Sequence, residues 1–230
     1  MTHLDIEIKN LKNDMLEMFS IVKTQLEKSK EAMVHLDKDL AREVMVNEKR
    51  VNAFELKLDR DCENIIALLN PLAVDLRFVL ACLKIISNLE RVGDIADGIA
   101  KFVLDIKMEV ESDLLEKTRL IEMYDLSLTM LNDVMNAFDK EDTALARSVF
   151  KRDEVLDQIN LNANTAVAEF IREHLDRINQ SLYTLSAIRK LERVGDQCKN
   201  IAEEIIFYVE AKVLKHKTQA QKQDSSGKNL

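Results

Sequence analysis

Four glycines, one proline and no tryptophan in 230 residues leave little material for tight turns. Sandwiches, barrels and doubly wound sheets use turn residues at nearly every connection, so those architectures are excluded. The three cysteines, Cys62, Cys82 and Cys198, are odd in number and form no metal-ligand pair. That argues against a disulfide framework and points to a reduced, cytoplasmic setting. Each falls on an apolar stripe and reads as a small buried hydrophobe. No Gly-x-Ser-x-Gly, P-loop or zinc-protease pattern is visible, so the chain is not expected to be an enzyme. Positive charge is also short. Lys and Arg number 33 against 41 Asp and Glu, a net charge of −8, which repels nucleic acid. The best apolar run, Phe78 to Leu83, is six residues, where a membrane span needs about 20. The opening MTHLDIEIKN has neither a basic nor an apolar leader region, so neither a signal peptide nor membrane insertion is expected.

What is present is helical periodicity along almost the whole chain. It weakens at Ser29-Lys30-Glu31. It breaks at Asn70-Pro71, where Asn can cap and Pro can occupy a first helical turn. Further breaks fall at Ser112-Asp113, at Asp139 to Thr143, and near His174 to Asn179. These predict six helices, about 4–29, 36–69, 71–110, 113–138, 142–172 and 177–214. The polar stretch 215–230 is expected to be a disordered tail. Helices of this length bury their stripes only against one another, so the expected fold is all-α, a set of long antiparallel helices. The sequence also repeats. Leu89-Glu90-Arg91-Val92-Gly93-Asp94 recurs unchanged as Leu191-Glu192-Arg193-Val194-Gly195-Asp196, 102 positions later, and Ile99-Ala100 recurs as Ile201-Ala202. Each copy lies in the third helix of a set. The chain therefore reads as two tandem three-helix bundles, 1–110 and 111–214.

The third helix of the first unit carries an apolar series at Phe78, Cys82, Ile85, Leu89, Val92, Ala96, Ile99, Val103 and Ile106. In the second unit the series is Ala187, Leu191, Val194, Cys198, Ile201, Ile205 and Tyr208. Glu90 and Asp94 are four apart, on a face roughly opposite the stripe. Glu192, Asp196 and Asn200 repeat this, with Glu203 one turn on. The second helices add Glu55 with Asp59, and Asp153 with Asp157, each pair placed three before and one after a stripe leucine, Leu58 or Leu156. Both units thus offer four carboxylates from two helices, expected on the outside of the bundle. Two full charges about 5 Å apart repel by roughly 1 kcal/mol in water and about 3 kcal/mol at an effective dielectric of 20. Such a group calls for compensation. Arg91, Arg189, Arg193 and Lys57 could lace a solvated acidic face, or hard oxygen ligands could take Mg, Ca, Mn or iron, with zinc also accommodated.

The duplicated LERVGD motif, the segment Pro71-Leu72-Ala73-Val74-Asp75-Leu76-Arg77 and the ending Asn200-Ile201-Ala202-Glu203-Glu204 resemble the PhoU family. The resemblance covers nearly all of 1–214 in the duplicated order. It implies two three-helix bundles in a cytoplasmic protein that reports phosphate sufficiency. The partners it implies are the ATPase subunit of the Pst phosphate transporter and a phosphate-sensing histidine kinase, both restrained by the protein. A second copy of the chain in a homodimer is a further candidate partner. It also implies multinuclear iron or zinc clusters on the bundle surface. By that correspondence the metal residues are Glu55, Asp59, Glu90 and Asp94 in the first unit, and Asp153, Asp157, Glu192 and Asp196 in the second, joined by Asn200. The first unit departs from the second in having Gly98 and Lys101 where the second has Asn200 and Glu203, with Asp97 and Glu63 as the candidate substitutes.

Three other readings compete. A di-iron oxidase needs Glu-x-x-His on two helices, and none of His3, His35, His174 and His216 has Glu three residues before it. A metal-independent helical adaptor would use the acidic face to dock partners directly. An accessory protein of a low-affinity phosphate transporter is the third, and the tandem motifs favour the transport regulator over it.

Overall fold

The computed structural model describes residues 2–211. The segment 212–230, which includes the end of the last expected helix and the whole expected tail, lies outside the described residues. Seven α-helices and one short 3₁₀ turn make up the rest, and no strand occurs among the described residues. They are α1 (His3–His35), α2 (Lys38–Leu69), α3 (Val74–Asp105), α4 (Ser112–Thr118), α5 (Leu120–Lys140), α6 (Thr143–Glu173) and α7 (Ile178–Glu210). Six of these are long, as the periodicity predicts. α1 has 33 residues, which at about 1.5 Å per residue is roughly 50 Å.

Helices α1, α2 and α3 pack on one another, as do α5, α6 and α7, and α3 lies against α7. Every member of the two apolar series on α3 and α7 is buried. A second row on the same helices is buried as well, Val79, Ile86 and Ala100 on α3 and Ile188, Ala202 and Ile206 on α7. Each central helix packs on its own two neighbours and also on the other central helix. The two bundles share one hydrophobic core. Phe19, Phe78, Phe138 and Tyr208, from four helices, meet with neighbouring ring centroids 5.4 to 6.2 Å apart. The Tyr208 hydroxyl donates to the Phe138 carbonyl.

The helix boundaries correct the sequence reading in four places. Ser29 does not interrupt α1. It is buried, its hydroxyl donates to the Leu26 carbonyl, and Tyr124 of α5 donates to the Ser29 carbonyl. Asn70 caps the C-terminus of α2 with φ 46°, rather than starting α3. Pro71 therefore sits in the turn, and α3 begins at Val74 and ends at Asp105. The helix expected over 113–138 is split at Arg119, in the left-handed region with φ 54°, into short α4 and α5.

The connections within the two units are built alike. Asp37 caps α2 by accepting from the Asp39 and Leu40 amides at 3.0 and 2.9 Å. Asp142 caps α6 by accepting from Ala144 and Leu145 at the same distances. The preceding helices end at Leu36 and Glu141, both left-handed, with φ 50° and 54°. No described glycine has positive φ, so these caps carry side chains where helices ordinarily use Gly. A left-handed non-glycine residue costs about 1–2 kcal/mol. Glu141 is exposed, so Glu141→Gly is expected to stabilise the fold by roughly 1 kcal/mol. A rise in Tm by thermal denaturation checks this, and an unchanged or lowered Tm would contradict it.

Candidate functional site

The repeat motif places a glycine where α3 packs on α1 and α2, and another where α7 packs on α5 and α6. A Cβ added at Gly93 would meet Glu48 Oε2, Val51 and Gln25 at 3.1 to 3.4 Å. A Cβ at Gly195 would meet Asp153 Oδ1 and Leu156 at 2.7 Å, with Met130 at 3.6 Å. These neighbours match one for one, Gln25 with Met130, Glu48 with Asp153 and Val51 with Leu156, each 105 positions apart. The first two helices of each unit are therefore offset by 105, and the third helices by 102, because α6 beyond Asp153 and α7 before Gly195 are together shorter than the matching parts of α2 and α3, while the turns between them are equally long. In this register Asp153 corresponds to Glu48, whereas spacing from the stripe leucines pairs it with Glu55. Asp157 falls opposite Asn52, and Glu55 and Asp59 fall opposite Asn160 and Asn164.

In the first unit Glu48, Glu55, Glu90 and Asp94 come within electrostatic reach of one another, with Asp97 acting on Glu48. Burial, followed by the charges of Asp94, Glu55 and Glu48, raises the Glu90 carboxyl to about 7. Glu48 and Glu55 are raised for the same two kinds of reason, burial first. Asp59 is also raised, by burial and by Glu63. Glu48 is buried. Gln25 donates to its Oε2 at 2.7 Å, while its Oε1 has no hydrogen-bond partner. Asp97, also buried, is held by Lys101 at 2.5 Å.

In the second unit Asp153, Asp157, Glu192 and Asp196 converge, and Lys199 lies among them. Its Nζ contacts Asp153 Oδ2 at 2.5 Å and Asp196 Oδ1 at 2.8 Å. Burial opposes the Lys199 charge, but these two hydrogen bonds outweigh it and raise the ammonium well above its ordinary value. Glu192 is raised by burial and by Asp196, Asp157 and Asp153. Asp153 is 4% exposed and its Oδ1 has no hydrogen-bond partner. The expectation that all these carboxylates lie outside the bundle is therefore corrected at Asp153, which stands on the α6 stripe between Val149 and Leu156. Asn200 turns to the other unit, its Nδ2 donating to Asn88 Oδ1 at 3.2 Å.

Sequence spacing missed Glu48 and Lys199 as members of these groups, and offered Asp97 only as a substitute ligand alongside Glu63. The signal for Glu48 was a carboxylate on an otherwise apolar stripe, between Val44 and Val51. Charge inversion marks Asp97 and Lys199. The position holding Asp97 in the first unit holds Lys199 in the second, and the position holding Lys101 holds Glu203. All three cysteines are buried, and burial pushes the Cys62 thiol up to about 12.

Two acidic groups on the flanks of paired three-helix bundles, repeated in tandem, define a duplicated all-helical protein. The chain belongs to the PhoU family: residues 15–103 and 120–205 each match the PhoU domain. It is 33% identical over 210 residues to the phosphate-specific transport system accessory protein PhoU of Edwardsiella tarda, covering 91% of this chain and 86% of that one. The crystal structure of PhoU from Pseudomonas aeruginosa superposes with a TM-score of 0.83 at 27% identity, over 91% of this chain and all of that one. The phosphate transport system regulatory protein PhoU from Streptococcus pneumoniae gives 0.80 at 29% identity, over 92% and 99%.

The raised Glu90 carboxyl has a consequence for stability. Its ordinary value is 4.5 and its folded value about 7, so the folded protein holds this proton more tightly than the unfolded chain. The resulting stability is present below 4.5 and is lost as pH rises through about 7. Metal-free protein is expected to lose urea resistance between about pH 5 and about pH 8, and Glu90→Gln should lose less. Equal losses in the two proteins would remove Glu90 as the responsible group.

Proposed function

We propose that the protein is a cytoplasmic negative regulator of phosphate uptake and of the phosphate-starvation response. It acts by contact with the ATPase subunit of the Pst transporter and with a phosphate-sensing histidine kinase. The observation that carries this reading is the tandem PhoU domain match, together with relatives named as accessory or regulatory proteins of phosphate transport. Two features are in keeping with an adaptor. No helix among the described residues is long and apolar enough to cross a membrane, and long amphipathic helices offer broad flat faces for docking.

The acidic groups are proposed metal sites. Their donors are carboxylate oxygens, a set that suits hard cations such as iron, Mg or Mn and also accepts zinc. The unpartnered oxygens Glu48 Oε1 and Asp153 Oδ1 fit this reading. As the side chains stand, no group of three or more His, Cys, Asp or Glu among the described residues is gathered to hold an ion. Binding therefore involves rotation of side chains and, in the second unit, displacement of Lys199. Asp153, Asp157, Glu192 and Asp196 would hold the cations there, and Glu48, Glu55, Glu90 and Asp94 in the first unit, with Asp59 at the edge. A cation bound there supplies positive charge that relieves carboxylate repulsion and stiffens the docking face. A second reading, a metal-independent adaptor, is favoured by one observation. Lys199 already bridges Asp153 and Asp196.

Elemental analysis separates the two. Protein purified without chelator should contain iron or zinc, and Asp157→Ala with Asp196→Ala should remove most of the second-unit metal while changing helix content little. Metal-free wild-type protein, or full metal content in the double variant, would reject the metal sites as assigned. The regulator reading is tested in the host. Loss of the gene should raise phosphate-uptake gene expression or phosphate uptake in high-phosphate medium. Unchanged transcription and uptake, with neither partner captured by pull-down, would overturn it.

A further inference from the structure

The two central helices are related by the repeat, so the grooves on either side of their seam should be alike. Each groove is marked by one contact. On one side Asn200 of α7 bonds Asn88 of α3. On the other side the corresponding residues are Gly98 and Lys190, and they too are in contact. On the Asn88 side the two amides bond each other, and Lys84 pairs with Glu204 at 3.0 Å. The Gly98 side is open, a cleft of about 440 Å³.

The open cleft is lined by four cations, Arg91, Lys101, Lys190 and Arg193, and by two carboxylates, Asp94 and Asp97. Asp97 is already matched to Lys101. No ion pair or hydrogen bond is made by the side chains of Arg91, Lys190 or Arg193 to any described residue. Lys190 lies across the bare α3 backbone at Gly98, with Nζ 5.7 Å from the Phe102 ring centroid. A side chain at position 98 would occupy that space. An excess of two positive charges in a concave site favours a small anion.

We propose that this α3–α7 cleft binds a small protonated tetrahedral oxyanion, with inorganic phosphate as its ligand. Arg91 and Arg193 offer planar forks to two oxygens, and Lys190 supplies a point charge from the floor. Asp94 gives the site its choice. Hydrogen phosphate carries an O–H that a carboxylate can accept, whereas sulfate at neutral pH carries none and meets only repulsion. The inference draws on the charges and shape of the cleft and not on the regulatory reading. A regulator that binds no phosphate and a phosphate binder that regulates nothing give opposite results in this experiment and in the host tests above.

The test is calorimetric titration of the full chain, stripped of metal and at low ionic strength, with inorganic phosphate and separately with sulfate. Stripping keeps phosphate held by a bound metal out of the signal. One phosphate per chain is expected, with sulfate weaker. Lys190→Gln and Arg193→Gln should each weaken phosphate by roughly tenfold. Gly98→Ala keeps every charge but pushes Lys190 off the helix, and should weaken binding as well. Lys84→Gln removes a cation outside the cleft and should change affinity by less than about twofold. Circular dichroism confirms that each variant is folded. No phosphate binding to the wild type, or binding that survives both Lys190→Gln and Arg193→Gln, would overturn the site. Sulfate binding as tight as phosphate would overturn the role given to Asp94.

Discussion

The contact on which the rest of the molecule depends is α3 against α7. Each helix is buried on two sides, once by its own pair of neighbours and once by its counterpart. Along this contact Lys84, Asn88 and Phe102 of α3 meet Glu204, Asn200 and Tyr183 of α7. Close approach to α2 and α6 then calls for a residue without a side chain, and the motif supplies Gly93 and Gly195. The polar residues next to those glycines are drawn inward with the backbone. This is how Glu48 and Asp153 come to be buried at the edges of a hydrophobic core.

Burying carboxylates beside other carboxylates costs free energy, and the two units offset that cost differently. The first does so by holding protons, most clearly on Glu90, and by the Gln25 amide on Glu48. The second does so with Lys199, which reaches Asp153 and Asp196 together. The exchange of charge between Asp97 and Lys199 makes the difference. Duplication preserved the scaffold while the electrostatic solution diverged between its halves.

The stripes on α3 and α7, the six long helices and the tandem motif were all legible in the sequence. Each rests on periodicity over many turns, where single exceptions are averaged out. The ends of helices were less legible. Ser29 and Pro71 act through local chemistry that long-range packing overrides: Tyr124 seals Ser29 inside α1, and the cap at Asn70 moves Pro71 out of α3. The pairing of α3 with α7 was hidden because a helix buried on two sides shows one broad apolar arc. The register of the acidic residues was hidden for a related reason. Stripe leucines recur every turn or so, and Leu58 was as good a reference as Val51 until Gly93 and Gly195 fixed which one is opposite Leu156.

The unequal seam gives the molecule a front and a back. A duplicated body with equal halves would look the same after half a turn about its internal axis, and anything seated across α3 and α7 could be seated two ways. Here one hollow is cationic and open, and its twin is plugged by an amide pair. A half-turn therefore brings unpaired cations to where an amide pair and the Lys84–Glu204 ion pair stand. Anything that reads this seam meets a directional object, and a single glycine facing a single lysine is enough to break the tie.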